Sequence, residues 1–152
     1  MRFLPSIIVG AIACANTAGA SEADAKAARV MWSAFECSRF AGMAGMPEEV
    51  ERLFTVGLQA GRQFMAAVEA GTISNDEAKA VVPLGVSLLM SGPSNDFVIG
   101  RIYESAIGLA FDSVVKEDSA GLPLPTEEWV NDRELETSIA KNRYLKSNCA
   151  VF

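Results

Sequence analysis

Residues 47–71 read PEEVERLFTVGLQAGRQFMAAVEAG, and the periodicity of this stretch decides the fold class. At about 100° per residue, Val50, Leu53, Phe54, Gly57, Leu58, Gly61, Phe64, Met65 and Val68 gather on one side of a helix. Arg52, Thr55, Gln59, Arg62 and Glu69 occupy the other. Pro47 suits a first helical turn, Glu48, Glu49 and Glu51 lie at the positive end of the helix dipole, and Gly71 closes the segment. Such a helix must bury its apolar side. Gly57 and Gly61 lie within that side although each costs about 1 kcal/mol relative to alanine, so the expected compensation is close approach of another helix backbone. The spacing is a membrane-dimer motif only inside a long apolar span, and the polar side of this helix argues for core packing instead.

Working outward, the same signals mark further helices and no convincing strand. Ser21 can cap a first helix running to about Ala41, before Gly42 and Gly45. A third begins at Ser74 or Asn75 and must end or kink at Pro83. Leu84–Met90 can restart as a short apolar helix, stopped by Gly92-Pro93. Ser94 caps a long fourth helix to about Glu117, Gly121–Pro125 forms a stiff connector, and Thr126 can cap a final helix to about Asn148. The expected architecture is all-α, a compact bundle of about five helices with one disulfide. The fourth helix carries Phe97, Gly100, Ile107, Gly108, Phe111 and Val115 on one stripe and Ile99, Ile102, Ala106 and Ala110 on the other, which predicts a central position. Gly100 and Gly108 are read, with Gly57 and Gly61, as helix-packing glycines.

The chain opens with Met1-Arg2, an apolar stretch Phe3–Ala15 and small residues at Ala18 and Ala20, the order of a secretory signal with an A-x-A cleavage site. That stretch would rise about 20 Å as a helix, short of a ~30 Å hydrocarbon core, so no transmembrane span is expected in the mature chain. Residues 1–20 are therefore read as a signal peptide and 21–152 as a single helical domain. A lipid-bearing Cys14 in Ala11-Ile12-Ala13-Cys14 is the minor alternative. Cleavage after Ala20 leaves two cysteines, Cys37 and Cys149, which an oxidising periplasmic or extracellular setting would join.

Chemistry is bounded by what is missing. The 152 residues hold no histidine, which excludes Ser-His-Asp and Cys-His nucleophile systems and His-ligated metal sites. Thirteen basic against nineteen acidic residues leave a net charge of −6, the wrong balance for nucleic-acid binding. No metal or cofactor is implied. Glu104 falls inside the apolar stripe of the fourth helix, where a buried carboxylate needs a partner or a raised pKa; Arg101, one turn earlier, is the candidate partner in a buried charge pair. Its functional reading is a general acid or base, with Glu36 as the second carboxylate of a small hydrolase. Glu36 itself is expected on the solvated side of the first helix, beside Arg39. Trp129, in the sparsely apolar final helix, is either a lid over the core or an exposed contact.

In general look the chain resembles small exported bacterial proteins with one disulfide and a helical body, a group that includes periplasmic immunity and inhibitor proteins. The resemblance rests on Ala18-x-Ala20, the two mature cysteines with Cys149 near the terminus, and Phe54-x-x-Gly57-x-x-x-Gly61. It carries over no residue role. The expected function is a small exported binding or inhibitor module acting on another envelope or secreted protein, with a homodimer also possible; the alternative is the carboxylate-dependent hydrolase. An exposed apolar patch would favour the former, and a concave site around Glu104 the latter.

Overall fold

A computed structural model describes the backbone of Thr17–Phe152 and the side chains from Glu22 onward. Cys14 and most of the expected signal segment therefore lie outside the described residues. Within them the chain forms six α-helices and no strand: α1 (Thr17–Met43), α2 (Pro47–Ala70), α3 (Asn75–Val81), α4 (Leu84–Leu88), α5 (Asn95–Val115) and α6 (Arg133–Lys146). The all-α reading holds, with the short apolar segment after Pro83 counted as a helix of its own.

The punctuation residues act as their chemistry requires. Gly45 adopts φ 75°, which turns α1 tightly into α2, and Pro47 opens α2 where no amide donor is needed. Ser74 and Glu77 cap α3 reciprocally, with Glu77 N donating to Ser74 Oγ at 3.2 Å and Ser74 N donating to Glu77 Oε2 at 2.9 Å. Val82 is extended ahead of Pro83 and ends that helix. Ser94 caps α5 by accepting from Phe97 N at 3.2 Å.

The central helix is α1, which corrects the expectation for the fourth helical segment. α1 touches α2, α3, α5, α6 and the C-terminal turn, and it buries Ala25, Ala28, Met31, Ala34, Phe35, Cys37, Phe40 and Ala41. Its alanines make it look weakly hydrophobic, yet short side chains are what let neighbours approach from several sides. α5 instead buries one side, through Ile99, Ile102, Ala106, Ala110 and Val114, and exposes Phe97, Gly100, Glu104 and Gly108. The inward side is the one whose small Ala106 and Ala110, both buried, let α5 approach α1 closely.

Two clusters share α1. Met31, Phe35, Phe64, Ile99 and Ile102 centre the first; Cys37, Phe40, Leu53, Val114, Tyr144 and Cys149 centre the second. Gly57 and Gly61 do serve packing, but side chains rather than a helix backbone fill the notches. A Cβ at Gly57 would stand 2.5 Å from Phe35 Cδ1, and one at Gly61 would stand 2.8 Å from Met31 Sδ. Nothing lies within 4 Å of a Cβ built at Gly100 or Gly108, so these two are not packing glycines.

The final segment also departs from expectation. Thr126–Glu128 forms only a single 3-10 turn, and α6 starts at Arg133 with Asp132 Oδ1 accepting from Leu135 N at 2.7 Å. Trp129 cannot join that helix because its neighbourhood is tied elsewhere. Its Nε1 donates to Leu124 O at 3.2 Å, and Val130 N donates to Val115 O at 2.9 Å. Trp129 packs on the second cluster with Lys116 Nζ 5.0 Å above its ring, and so acts as a lid.

Candidate functional site

α2 and α5 meet along a shallow apolar groove of about 310 Å³. Both helices come to this line because the Gly57 and Gly61 notches admit Phe35 and Met31 of α1, while Ile99 of α5 reaches Gly61. Phe35, Phe54, Leu58, Ile99, Gly100 and Tyr103 line the groove. Three of them form an aromatic cluster. Tyr103 stands edge-on to Phe35 at 5.1 Å and to Phe54 at 5.4 Å, while Phe35 and Phe54 lie tilted at 6.1 Å. Phe35 is fully buried and fixes the cluster to the core, whereas Phe54 is 39% exposed. Gly100 is exposed and adds no side chain to the floor, which keeps the groove open. Phe97, 49% exposed, stands three residues before Gly100 on α5. Arg62 of α2 and Asp96 of α5 line the same groove and pair at 3.4 Å. No protein family, curated protein or solved structure matches this chain.

The carboxylates singled out in the sequence are not brought into one site. Glu104 is exposed on α5 and makes no ion pair with Arg101, whose Nη1 instead donates to Ser91 O at 2.6 Å. The expected buried charge pair is therefore absent. The reason is the rotation of α5: the stripe bearing Glu104 faces outward, so the carboxylate keeps its water and needs no partner. Glu36 departs from expectation in the other direction. It is half-buried on α1, where burial pushes its carboxyl above the usual range and a hydrogen bond from Trp32 partly offsets that effect. Arg39 does not pair with it and lies over the Phe111 ring at 5.0 Å. Neither Glu36 nor Glu104 lines the α2/α5 groove or the cavity between α1 and α6. Among the described residues no group of three or more acidic or cysteine side chains is placed to hold a metal ion.

Cys37 and Cys149 are joined, with 5.5 Å between their Cα atoms and 112 positions between them in sequence. Asn148, at φ 52°, turns the chain so that Cys149 points into the core beside α1. Around this bond sits a polar latch that the periodicity of α2 could not reveal. Arg52 grips Glu49 through two hydrogen bonds, Nε to Oε1 at 3.0 Å and Nη2 to Oε2 at 2.7 Å. The same guanidinium donates to Cys149 O at 3.1 Å and to Phe152 O, and the Tyr144 hydroxyl donates to Glu49 Oε2. Only the i,i+3 spacing of Glu49 and Arg52 hinted at it; the chain end that completes it comes about 100 residues later.

The latch predicts an acid response. The Arg52 hydrogen bonds first, and then the Tyr144 hydroxyl, hold the Glu49 carboxyl down at about 2, against an ordinary value of 4.5. A depressed carboxylate pKa means that the unfolded chain binds the proton more readily. The stabilisation is thus complete above the unfolded value and is lost as pH falls from 4.5 toward 2. Thermal melts across that window should show a slope that Glu49→Gln flattens.

Proposed function

We propose that the protein is an exported binding or inhibitor module whose α2/α5 groove takes apolar side chains from a positively charged segment of another envelope or secreted protein. The single observation that carries this reading is an apolar groove between α2 and α5 walled by the partly exposed aromatic rings of Phe54 and Tyr103. Charge argues for the sign of the partner. Residues 21–152 hold twelve basic and nineteen acidic side chains, a balance of −7. Along the groove, Glu51 stands one turn from Phe54 and Glu104 one turn from Gly100, both exposed. A second copy would bring like charge to like, whereas a basic segment is attracted and steered. The Tyr103 hydroxyl makes no hydrogen bond within the described residues and is available to such a partner.

Export supports the same reading. The buried disulfide suits an oxidising compartment, and no described helix is long and apolar enough to cross a membrane. The hydrolase alternative draws less support, since Glu36 and Glu104 share no cavity.

A photo-reactive phenylalanine analogue placed at Leu58 in the producing cell tests the reading. It is expected to cross-link a basic protein, and Phe54→Asp is expected to cut the yield about tenfold or more, as loss of a buried aromatic anchor does. A cross-linked copy of the chain itself, or an equal yield from the analogue at exposed Ser138 of α6, would contradict it.

A further inference from the structure

The cavity between α1 and α6, about 380 Å³, is lined by Arg39, Gly42 and Met43 of one helix and Arg133, Glu136 and Thr137 of the other. Its lining is cationic and unpaired. Arg39 is half-buried, and among the described residues its guanidinium makes no hydrogen bond or ion pair; its recorded contact is the face of Phe111. Arg39 Nε is sealed from solvent and has no hydrogen-bond partner among the described residues. Arg133, on the opposite wall, likewise makes no hydrogen bond or ion pair among the described residues. Two guanidinium groups against the one carboxylate of Glu136 leave an excess positive charge in the cavity.

A partly buried cation without a counter-charge is costly, and native structures rarely leave one so. Arg39 Cζ lies 5.0 Å from the centroid of the Phe111 ring, an attraction that uses none of the guanidinium N–H groups and leaves them to bond. Oxyanions meet such a fork with two parallel hydrogen bonds. Thr137 ties the α6 wall to the end of α1 by donating to Met43 O at 3.3 Å, which fixes the spacing of the two arginines. We propose that this cavity binds a small acid through a carboxylate or phosphate group held between Arg39 and Arg133. The volume suits a molecule of a few carbon atoms and is at the lower end of ordinary ligand sites.

Titration of the oxidised protein with inorganic phosphate and, separately, with succinate tests the proposal. The experiment follows the arginine side-chain and Thr137 amide resonances at constant ionic strength in chloride. Saturable shifts confined to Arg39, Arg133 and Thr137 are expected, with a millimolar dissociation constant for at least one probe; the tighter probe identifies the acid class. Arg133→Gln, at an exposed position that the fold does not need, should weaken binding about tenfold or more, as loss of a charge-assisted hydrogen bond does. Arg39→Lys keeps the charge and removes the fork, and should also weaken it. Shifts that rise linearly, that spread over the surface lysines, or that persist unchanged in Arg133→Gln would overturn the proposal.

Discussion

Removing the disulfide by Cys37→Ala with Cys149→Ala is expected to lower the free energy of unfolding by about 4 to 5 kcal/mol. The estimate follows from the loop that the bond closes. With 112 positions between the sulfurs, the oxidised unfolded chain is denied much of the conformational freedom that the reduced one regains. Typical domains are stable by about 5 to 15 kcal/mol, so the loss is about a quarter or more of the total. The Arg52 and Tyr144 latch does not replace it, because those contacts act on the folded state alone. Both cysteines are buried, so alanine also leaves a small void beside Phe40 and Leu53. Denaturant unfolding of the oxidised protein and the double variant measures the difference; a loss below about 1 kcal/mol would show that the closed loop does not govern stability.

The second large effect separates glycines that look alike in sequence. Gly57→Ala should destabilise by about 1 to 2 kcal/mol, and Gly57→Leu by about 3 kcal/mol. The new Cβ meets the edge of the Phe35 ring, and that ring cannot move aside. It is fully buried and is held edge-on by Tyr103. The gain in helix propensity, about 1 kcal/mol, is smaller than the strain. Gly108→Ala should do the reverse and stabilise by about 0.5 to 1 kcal/mol, because the helix gains propensity and the methyl group meets nothing within 4 Å. Gly61→Ala falls between them, since Met31 Sδ is an end of a flexible side chain that can shift. Opposite signs at positions 57 and 108 in denaturant midpoints check the account; equal signs would contradict the packing described for α2 and α5.

Much of this fold can be read from local chemistry. Pro47, Gly71, Ser74, Pro83 and Ser94 mark helix boundaries because each acts through its own backbone or an atom three residues away. The pairing of Cys37 with Cys149 followed from counting sulfurs once the opening segment was set aside. What escaped was decided by tertiary contacts. Which side of α5 turns inward depends on how closely Ala106 and Ala110 let it approach α1, and an angular wheel does not show the neighbouring helix. The reading of Glu104 as buried failed with that choice. The alanines of α1 do not mark it as the hub, because alanine signals close packing only when its neighbours are known. Trp129 was assigned to a helix on the strength of Thr126, whereas a long-range bond from Val130 to Val115 holds the segment out of it.

The candidate site was legible only as ingredients. Phe54, Leu58 and Gly100 each have a readable helix position, but the groove exists because two helices, whose lining residues lie 34 or more positions apart in sequence, are held side by side by the notches at Gly57 and Gly61. Glu49, Arg52, Arg39 and Arg133 belong to the same category, since their partners, or the lack of them, are set by chain segments far away in sequence.

The covalent tie between the hub helix and the end of the chain is the feature on which the rest stands. Non-reducing peptide mapping of natively isolated protein, alkylated before digestion, tests it directly. The account predicts a cross-linked peptide pair containing Cys37 and Cys149 and no alkylation at either position. Quantitative alkylation of both sulfurs without reductant would contradict it.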